Sequence, residues 1–276
     1  MDPILSERPD PADLLDVALA VVRPAAEQVR RLRAEAVGAV HTKSTDTDVV
    51  TAADQEVERQ LVAALRQRRP QDRVLGEEYG SRGSTPAGAG SPSSSVRWVI
   101  DPIDGTVNYL YGIPYYAVSV AAEVDGQVVA GVVHNAATGQ EWTATIGGGA
   151  WREGRRLQGS TQTRLGQALV GTGFAYHPAR RRHQARVVAE LIGDVRDIRR
   201  LGAAAIDLCL AAEGVLDAYF ERGLQAWDLA AGGLIAAEAG LIVAGLAGAP
   251  PGEQMVIAAP PALFTPLHDR LVDLGA

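Results

Sequence analysis

Apolar positions change their spacing along the chain, and the changes mark its elements. From Asp13 to Ala36 (DLLDVALAVVRPAAEQVRRLRAEA) they recur at helical period, with a kink expected at Pro24. Thr51 to Arg69 (TAADQEVERQLVAALRQRR) predicts a second helix, opened by Thr51 and Asp54 at capping-box spacing and stopped by Pro70. The apolar start of VLGEEYG reads as a short buried strand ending at Gly76. Gly80 to Ser95 (GSRGSTPAGAGSPSSS) has the composition of a flexible surface excursion, which could also border whatever lies beyond that strand. From Tyr116 the pattern becomes β. AVSVAAEV, a turn at Asp125-Gly126, QVVAGVVHN, a turn around Thr138-Gly139 and EWTATI follow, with Gly147 to Gly149 ending the meander. From Leu169 strands and helices alternate. The series is ALVGTG, a helix over roughly 179 to 192, VRDIR, the helix AAAIDLCLAAEG, DAYFE, the helix DLAAGGLIAAEAG, IVAG, MVIAA and a last helix after Pro261. The chain therefore reads as an α+β part over 1–152 followed by an α/β part over 153–276, stacked in layers.

Composition narrows the function classes. A chain of 276 residues with 47% hydrophobic and 21% charged residues is expected to be soluble and globular, as one large domain or two modest ones. A net charge of −7 argues against nucleic acid or an anionic membrane as partner and suits a protein that gathers carboxylates around cations. Cys209 is the only cysteine, so neither an internal disulfide nor a thiolate zinc site is available. MDPILSERPD has neither the basic nor the apolar part of a signal peptide. The most apolar segment, Leu229 to Pro251, is interrupted by Glu238 and loosened by glycines, so no membrane span is expected. These features predict a cytoplasmic protein.

The candidate chemistry begins in VRWVIDPIDGTVNYLYG, from Val96 to Gly112. An apolar strand stops against Asp101, Pro102, Asp104, Gly105 and Thr106 within six positions. The residue before a proline is pushed toward extended backbone, so Asp101 is expected to end the strand. Gly105-Thr106 would open a short helix whose free N–H groups suit a phosphate oxygen. Two ionised carboxylates about 4 Å apart repel by roughly 4 kcal/mol at an effective dielectric near 20, and a cation relieves this. A hard divalent ion such as Mg2+ prefers carboxylate and carbonyl oxygens, which Asp101, Asp104 and the Ile103 carbonyl offer. Further carboxylates lie where other elements stop. GEEYG places Glu77 and Glu78 past a strand end, and AWDLAAGG places Asp228 at a helix start, where an N-cap would be its ordinary role. Together they mark a candidate two-metal site, in which one ion activates water and the other stabilises a leaving oxygen.

GEE at Glu77, DPIDGTVNY at 101–109 and WDLAAG at 227–232 resemble the three signature motifs of the inositol monophosphatase family. VGTGFAY and RDIRRLGAAAIDLCLAAEGVLDAYFERG resemble its bacterial members, those of actinobacteria in particular, and the resemblance runs from the Lys43 region to Gly240. It implies an α/β/α/β/α sandwich and a lithium-sensitive, homodimeric phosphatase with two to three Mg2+ per active site. It further implies that Glu77, Asp101 and the Ile103 carbonyl hold an activating ion, that Asp101, Asp104 and Asp228 hold a second, and that Glu77 touches a third. Gly105 and Thr106 would meet the phosphate, Asp54 would pair with Thr106 to orient and deprotonate water, and Lys43 would lie on a loop near the site. Glu221, Gly202, Ala203 and Ala204 would contact the alcohol, together with Asp104 and Asp228. Tyr109 replaces a commoner phenylalanine, and Ala203 stands where a serine or threonine is frequent, so one hydroxyl contact is missing.

The implied reaction is hydrolysis of an inositol monophosphate by direct attack of water, with no covalent intermediate. Relatives of the family act on fructose 1,6-bisphosphate, histidinol phosphate or 3′-phosphoadenosine 5′-phosphate. Val107-Asn108-Tyr109, where a lysine after the DGT is often found in enzymes of the nucleotide and of histidinol phosphate, favours inositol phosphate, as does Glu221 facing a polyol. A reading of another class is a regulatory protein binding transcription machinery, which loss of a metal ligand would favour; none is lost. The five histidines are scattered, and Cys209 lies in an apolar helical run, so neither is expected to take part. Gly171 and Gly173 fit a strand-end turn better than a dinucleotide loop, and ARRRHQAR (179–186) fits a solvated helix face.

Overall fold

The computed structural model describes residues 9–35, 40–42, 49–80 and 94–276. Lys43 and nearly all of the Gly80 to Ser95 segment lie outside the described residues. Helix α1 (Pro11–Glu35) holds Pro24 inside it and buries Leu14, Ala18, Val21, Val22, Ala25, Ala26 and Val29 along one face. β1 (Val40–Thr42) and β2 (Val49–Thr51) form a small antiparallel pair, and α2 (Ala52–Arg68) follows directly. Thr51 thus ends a strand, and its predicted capping side chain lies outside what is described.

A seven-stranded sheet comes next. Its strands are β3 (Arg73–Gly76), β4 (Val96–Asp104), β5 (Ala117–Val124), β6 (Gln127–Asn135), β7 (Glu141–Thr145), β8 (Gly149–Arg152) and β9 (Arg155–Arg156), in that spatial order. The short helix α3 (Thr106–Tyr111) interrupts it after β4. Only β3 and β4 pair in parallel; the other neighbours are antiparallel. Asp125 (φ 51°) and Gly126 (φ 85°) both adopt positive φ, the geometry of a tight hairpin turn matched to strand twist. The meander does not stop at Gly147 to Gly149, as the sequence suggested. Those glycines make another hairpin, and β8 and β9 extend the sheet.

The second half builds a five-stranded sheet from β10 (Leu169–Thr172), β11 (Asp197–Arg199), β12 (Ala218–Glu221), β13 (Ile242–Ala244) and β14 (Val256–Ala259), in the order β11-β10-β12-β14-β13. Its helices are α4 (Pro178–Leu191), α5 (Ala204–Ala212), α6 (Ala226–Glu238) and α7 (Pro261–Asp273). Four apolar cores separate five layers. α1 and α2 cover one face of the large sheet around Val22, Leu61, Trp98 and Val118. Its other face, with Val99 and Trp142, meets Ile206, Ala231 and Ile235 of α5 and α6. The far side of those helices, with Leu208 and Ala236, packs on Tyr219 and Val256 of the smaller sheet. α4 and α7 close the stack with Val187, Leu191, Leu263 and Leu267 over Val170 and Ile257. The α/β/α/β/α order is as expected, and burial on both faces explains the nearly continuous apolar runs of the inner strands. Close approach in the middle requires small residues: a Cβ on Gly131 of β6 would lie 3.0 Å from the Ala231 Cα of α6.

Candidate active site

β4 carries the densest chemistry, and it does not end at Asp101. Pairing with β5 runs from Val96↔Val124 to Asp101↔Ser119, then slips so that Asp104 pairs with Ala117. Pro102 cannot donate to the ladder, so the strand bulges there and resumes, which corrects the expected strand end. The Asp101 carboxylate accepts the Ile103 N–H at 3.0 Å, fixing the bulge. Gly105 then turns the chain at φ 88° into α3; a Cβ there would meet the Ala203 Cβ and the Tyr115 carbonyl at 3.0 Å. Asn108 locks the arrangement, its side-chain N–H groups donating to the Tyr115 and Leu201 carbonyls at 2.8 and 2.9 Å.

Helix starts supply what the bulge lacks. Ala203 occupies the N-cap of α5 and offers no capping side chain. Asp104 performs that role from β4, accepting the Ala204 N–H at 3.1 Å and the Ala205 N–H at 2.8 Å. Asp228 stands at the third position of α6, not at its N-cap, and accepts the Gln225 N–H at 2.6 Å in a capping box. Carboxylate oxygens of Asp101, Asp104 and Asp228 lie within 4.8 Å of one another. Register brings in Glu77: Gly76 pairs with Ile100, so the next residue on each strand, Glu77 and Asp101, come side by side at the sheet's end.

These groups line a cleft of about 460 Å³, together with Ile103, Gly105 and Thr106 on one side and Gly202, Ala204 and Glu221 on the other. Ala203 is buried and does not line it. Asp54 is also buried, behind Thr106, whose hydroxyl lies 3.4 Å from the Asp54 carboxylate and 3.1 Å from the Ile103 carbonyl. Glu221 ends β12, takes a hydrogen bond from the Tyr219 hydroxyl, and lies over Gly173, where a Cβ would come within 2.0 Å of it. Trp227, Arg180 and Arg200 also line the cleft, although nothing in the sequence assigns any of them a role there. Trp227 adjoins Asp228; Arg180 belongs to the basic run 179–186, which in sequence reads only as a solvated helix face, and Arg200 lies in the run RDIRRLG. Glu58, buried on α2, was missed as well, although it lies four residues after Asp54 and so shares its helix face.

The electrostatics follow from crowding. Burial, then the charges of Glu77, Asp104 and Asp228, push the Asp101 carboxyl well above the usual range. Removal from bulk water does the same to Asp228, reinforced by Glu77 and Asp104. Burial lifts Asp104 to about 7, against the hydrogen bonds from α5. Among the described residues no arginine or lysine is ion-paired with any of the three. Clustered oxygens with no balancing cation among the described residues fit a hard divalent ion, and their all-oxygen chemistry disfavours a soft one.

Known proteins resemble this chain in sequence and in fold. The model of the inositol monophosphatase family matches residues 10–272. A Mycobacterium tuberculosis protein named inositol-1-monophosphatase SuhB is 48% identical over 84% of this chain and 84% of its own length. A Pseudomonas aeruginosa protein named Nus factor SuhB is 38% identical over 85% of this chain and 86% of its own. The solved structure of Mycobacterium tuberculosis SuhB superposes with a TM-score of 0.80 at 42% identity, covering 97% of this chain and 98% of that one. Fold and relatives define an enzyme of the phosphatase class. Within that class, the chain belongs to the inositol monophosphatase family.

Proposed function

We propose that the protein hydrolyses inositol monophosphate to inositol and phosphate in a Mg2+-dependent reaction with water as the nucleophile. The observation that carries this reading is the triad of carboxylates within 4.8 Å, set at the end of a cleft beside Gly105 and Thr106. Glu77, Asp101, Asp104, Asp228 and the Ile103 carbonyl would hold two to three ions. When bound, Mg2+ supplies positive charge against the phosphoryl oxygens and acidifies the attacking water. The chain's own groups do the rest. Gly105 and Thr106 direct backbone N–H groups at the phosphate. The Thr106 hydroxyl would orient the water and take up its proton while passing its own to the Asp54 carboxylate behind it, as the new P–O bond forms. The ester P–O bond breaks on the opposite side, and the alkoxide leaves with a proton from solvent. Glu221 and the backbone at Gly202 would grip the alcohol's hydroxyls, beside Ala204, whose N–H is bound by Asp104. A regulatory role of the kind named for the Pseudomonas relative would not need the carboxylates. Phosphate release from inositol 1-phosphate, fructose 1,6-bisphosphate and histidinol phosphate, each with and without Mg2+ and Li+, tests the reading. Mg2+-dependent, Li+-inhibited release that is fastest from inositol phosphate supports it; no release from any substrate refutes it.

A further inference from the structure

Helix α2 carries a second carboxylate one turn beyond Asp54, and the reaction as read above does not use it. Glu58 is 1% exposed. Its Oε2 accepts the Glu78 N–H at 2.8 Å and its Oε1 accepts the Tyr79 N–H at 3.1 Å. Both donors belong to the turn that follows β3, which Gly76 opens and Gly80 closes by bridging back to Gly76. A Cβ on Gly76 would lie 2.2 Å from the Glu58 Oε1, so the carboxylate rests directly on the backbone where the turn begins.

Glu77 is the residue between the backbone that Glu58 rests on and the two N–H groups that it holds. Its own side chain lines the cleft with Asp101. A buried carboxylate is costly to desolvate, and an apolar side chain of similar volume would fill the space without that cost. The charge is useful only for what it binds, and here it binds one turn. Hydrogen bonds from two consecutive N–H groups to one buried side chain fix where that turn points.

We propose that Glu58 is a positioning residue for Glu77: by clamping the turn from Gly76 to Gly80, it presents the Glu77 carboxylate to the Asp101 corner and so sets the cation affinity of the site. The proposal rests on Glu77 being a cation ligand. Asp54 and Glu58, at i and i+4 on one helix, then steady two parts of the cleft, one through Thr106 and the other through the Glu77 turn.

The test uses the full-length protein stripped of metal. Mg2+ binding is measured by calorimetry for the native protein, Glu58→Gln, Glu77→Ala and the double variant, with thermal unfolding and turnover at saturating Mg2+ alongside. Glutamine keeps one acceptor oxygen and the shape. Glu58→Gln should weaken Mg2+ binding roughly tenfold, as loss of a group supporting a metal ligand does. Turnover at saturating Mg2+ should stay within about threefold of native, because the ligands themselves remain. In the Glu77→Ala background the same change should shift Mg2+ affinity by less than about twofold, since Glu58 acts through Glu77. Gly76→Ala, which displaces the carboxylate while keeping every charge, is a second route to the same loss if Glu58→Gln folds poorly. A Glu58→Gln protein with a lowered melting temperature and native Mg2+ affinity would overturn the proposal, as would equal weakening with and without Glu77. Native Mg2+ affinity in Glu77→Ala would sink the ligand assignment itself, and the positioning role with it.

Discussion

Asp101→Asn removes one of three clustered charges and leaves the rest of the corner in place. The asparagine carbonyl can still accept the Ile103 N–H, which lies 3.0 Å from the native carboxylate. The oxygens of Asp101, Asp104 and Asp228 are within 4.8 Å, so each ionised pair repels by at least about 3.5 kcal/mol at an effective dielectric near 20. Protonation limits that cost: a carboxyl of ordinary pKa, about 3.9, can be neutralised at pH 7 for roughly 4 kcal/mol. The native metal-free protein sheds part of the repulsion by taking up protons, and a neutral asparagine relieves more. Metal-free Asp101→Asn should therefore be more stable than native by about 2 kcal/mol, or roughly 5 °C in melting temperature for a chain of this size. Mg2+ should reverse the order. The native protein gains stability by mass action, while the variant gains little and loses at least about a hundredfold in turnover. Thermal unfolding in chelator and in Mg2+, with phosphate release on the same samples, reads all three quantities. A metal-free variant less stable than native, or one that keeps the native Mg2+ response and near-normal turnover, would refute the reasoning.

Thr106→Ala should slow turnover about a hundredfold while Mg2+ affinity by calorimetry stays within about threefold, because the hydroxyl serves the water and not the cation. Glu141 accepts hydrogen bonds from Arg23 at 2.8 and 3.1 Å and lies 3.0 Å from His134. Its recessed position pushes its carboxyl upward, but the His134 and Arg23 contacts outweigh that and hold it at about 2. A carboxyl lower in the folded than in the unfolded state stabilises above its unfolded value, near 4.5, and loses that contribution as pH falls toward about 2. The stability gap between native and Glu141→Gln, by urea unfolding, should therefore narrow steadily from about pH 5 to about pH 2.5; a constant gap would contradict it. Gly131→Ala places a Cβ 3.0 Å from the Ala231 Cα, where backbone must move, and should cost about 1–2 kcal/mol in the same assay.

Much of this architecture is legible in the sequence because its inner strands are buried on both faces and read as apolar runs between helical periods. The acidic motifs are legible because their chemistry needs carboxylates in turns after apolar strands. Pro102 hid the bulge: a proline usually ends pairing, and only the pairing of Asp104 with Ala117 reveals that the strand resumes. Three consecutive glycines looked like an ending because hairpin and terminus use the same residues. Ala203 looked like a lost contact, whereas the N–H groups beyond it are taken by Asp104 from another layer, and no local pattern encodes such a cap. Glu58 escaped notice for a similar reason. A glutamate on a helix reads as solvated unless one knows that a turn twenty residues later folds onto it.

The helices α5 and α6 lie between the two sheets. With a sheet pressed on each flank, every change to their girth is felt twice, and the alanines and glycines that fill them are spacers holding two β surfaces at a set gap. Asp104 and Asp228 are fastened to the first turns of these same two helices. Widening that gap by a single methyl would shift the acidic corner as well as the cores, so the width of the middle layer is itself a calibration of the catalytic cleft.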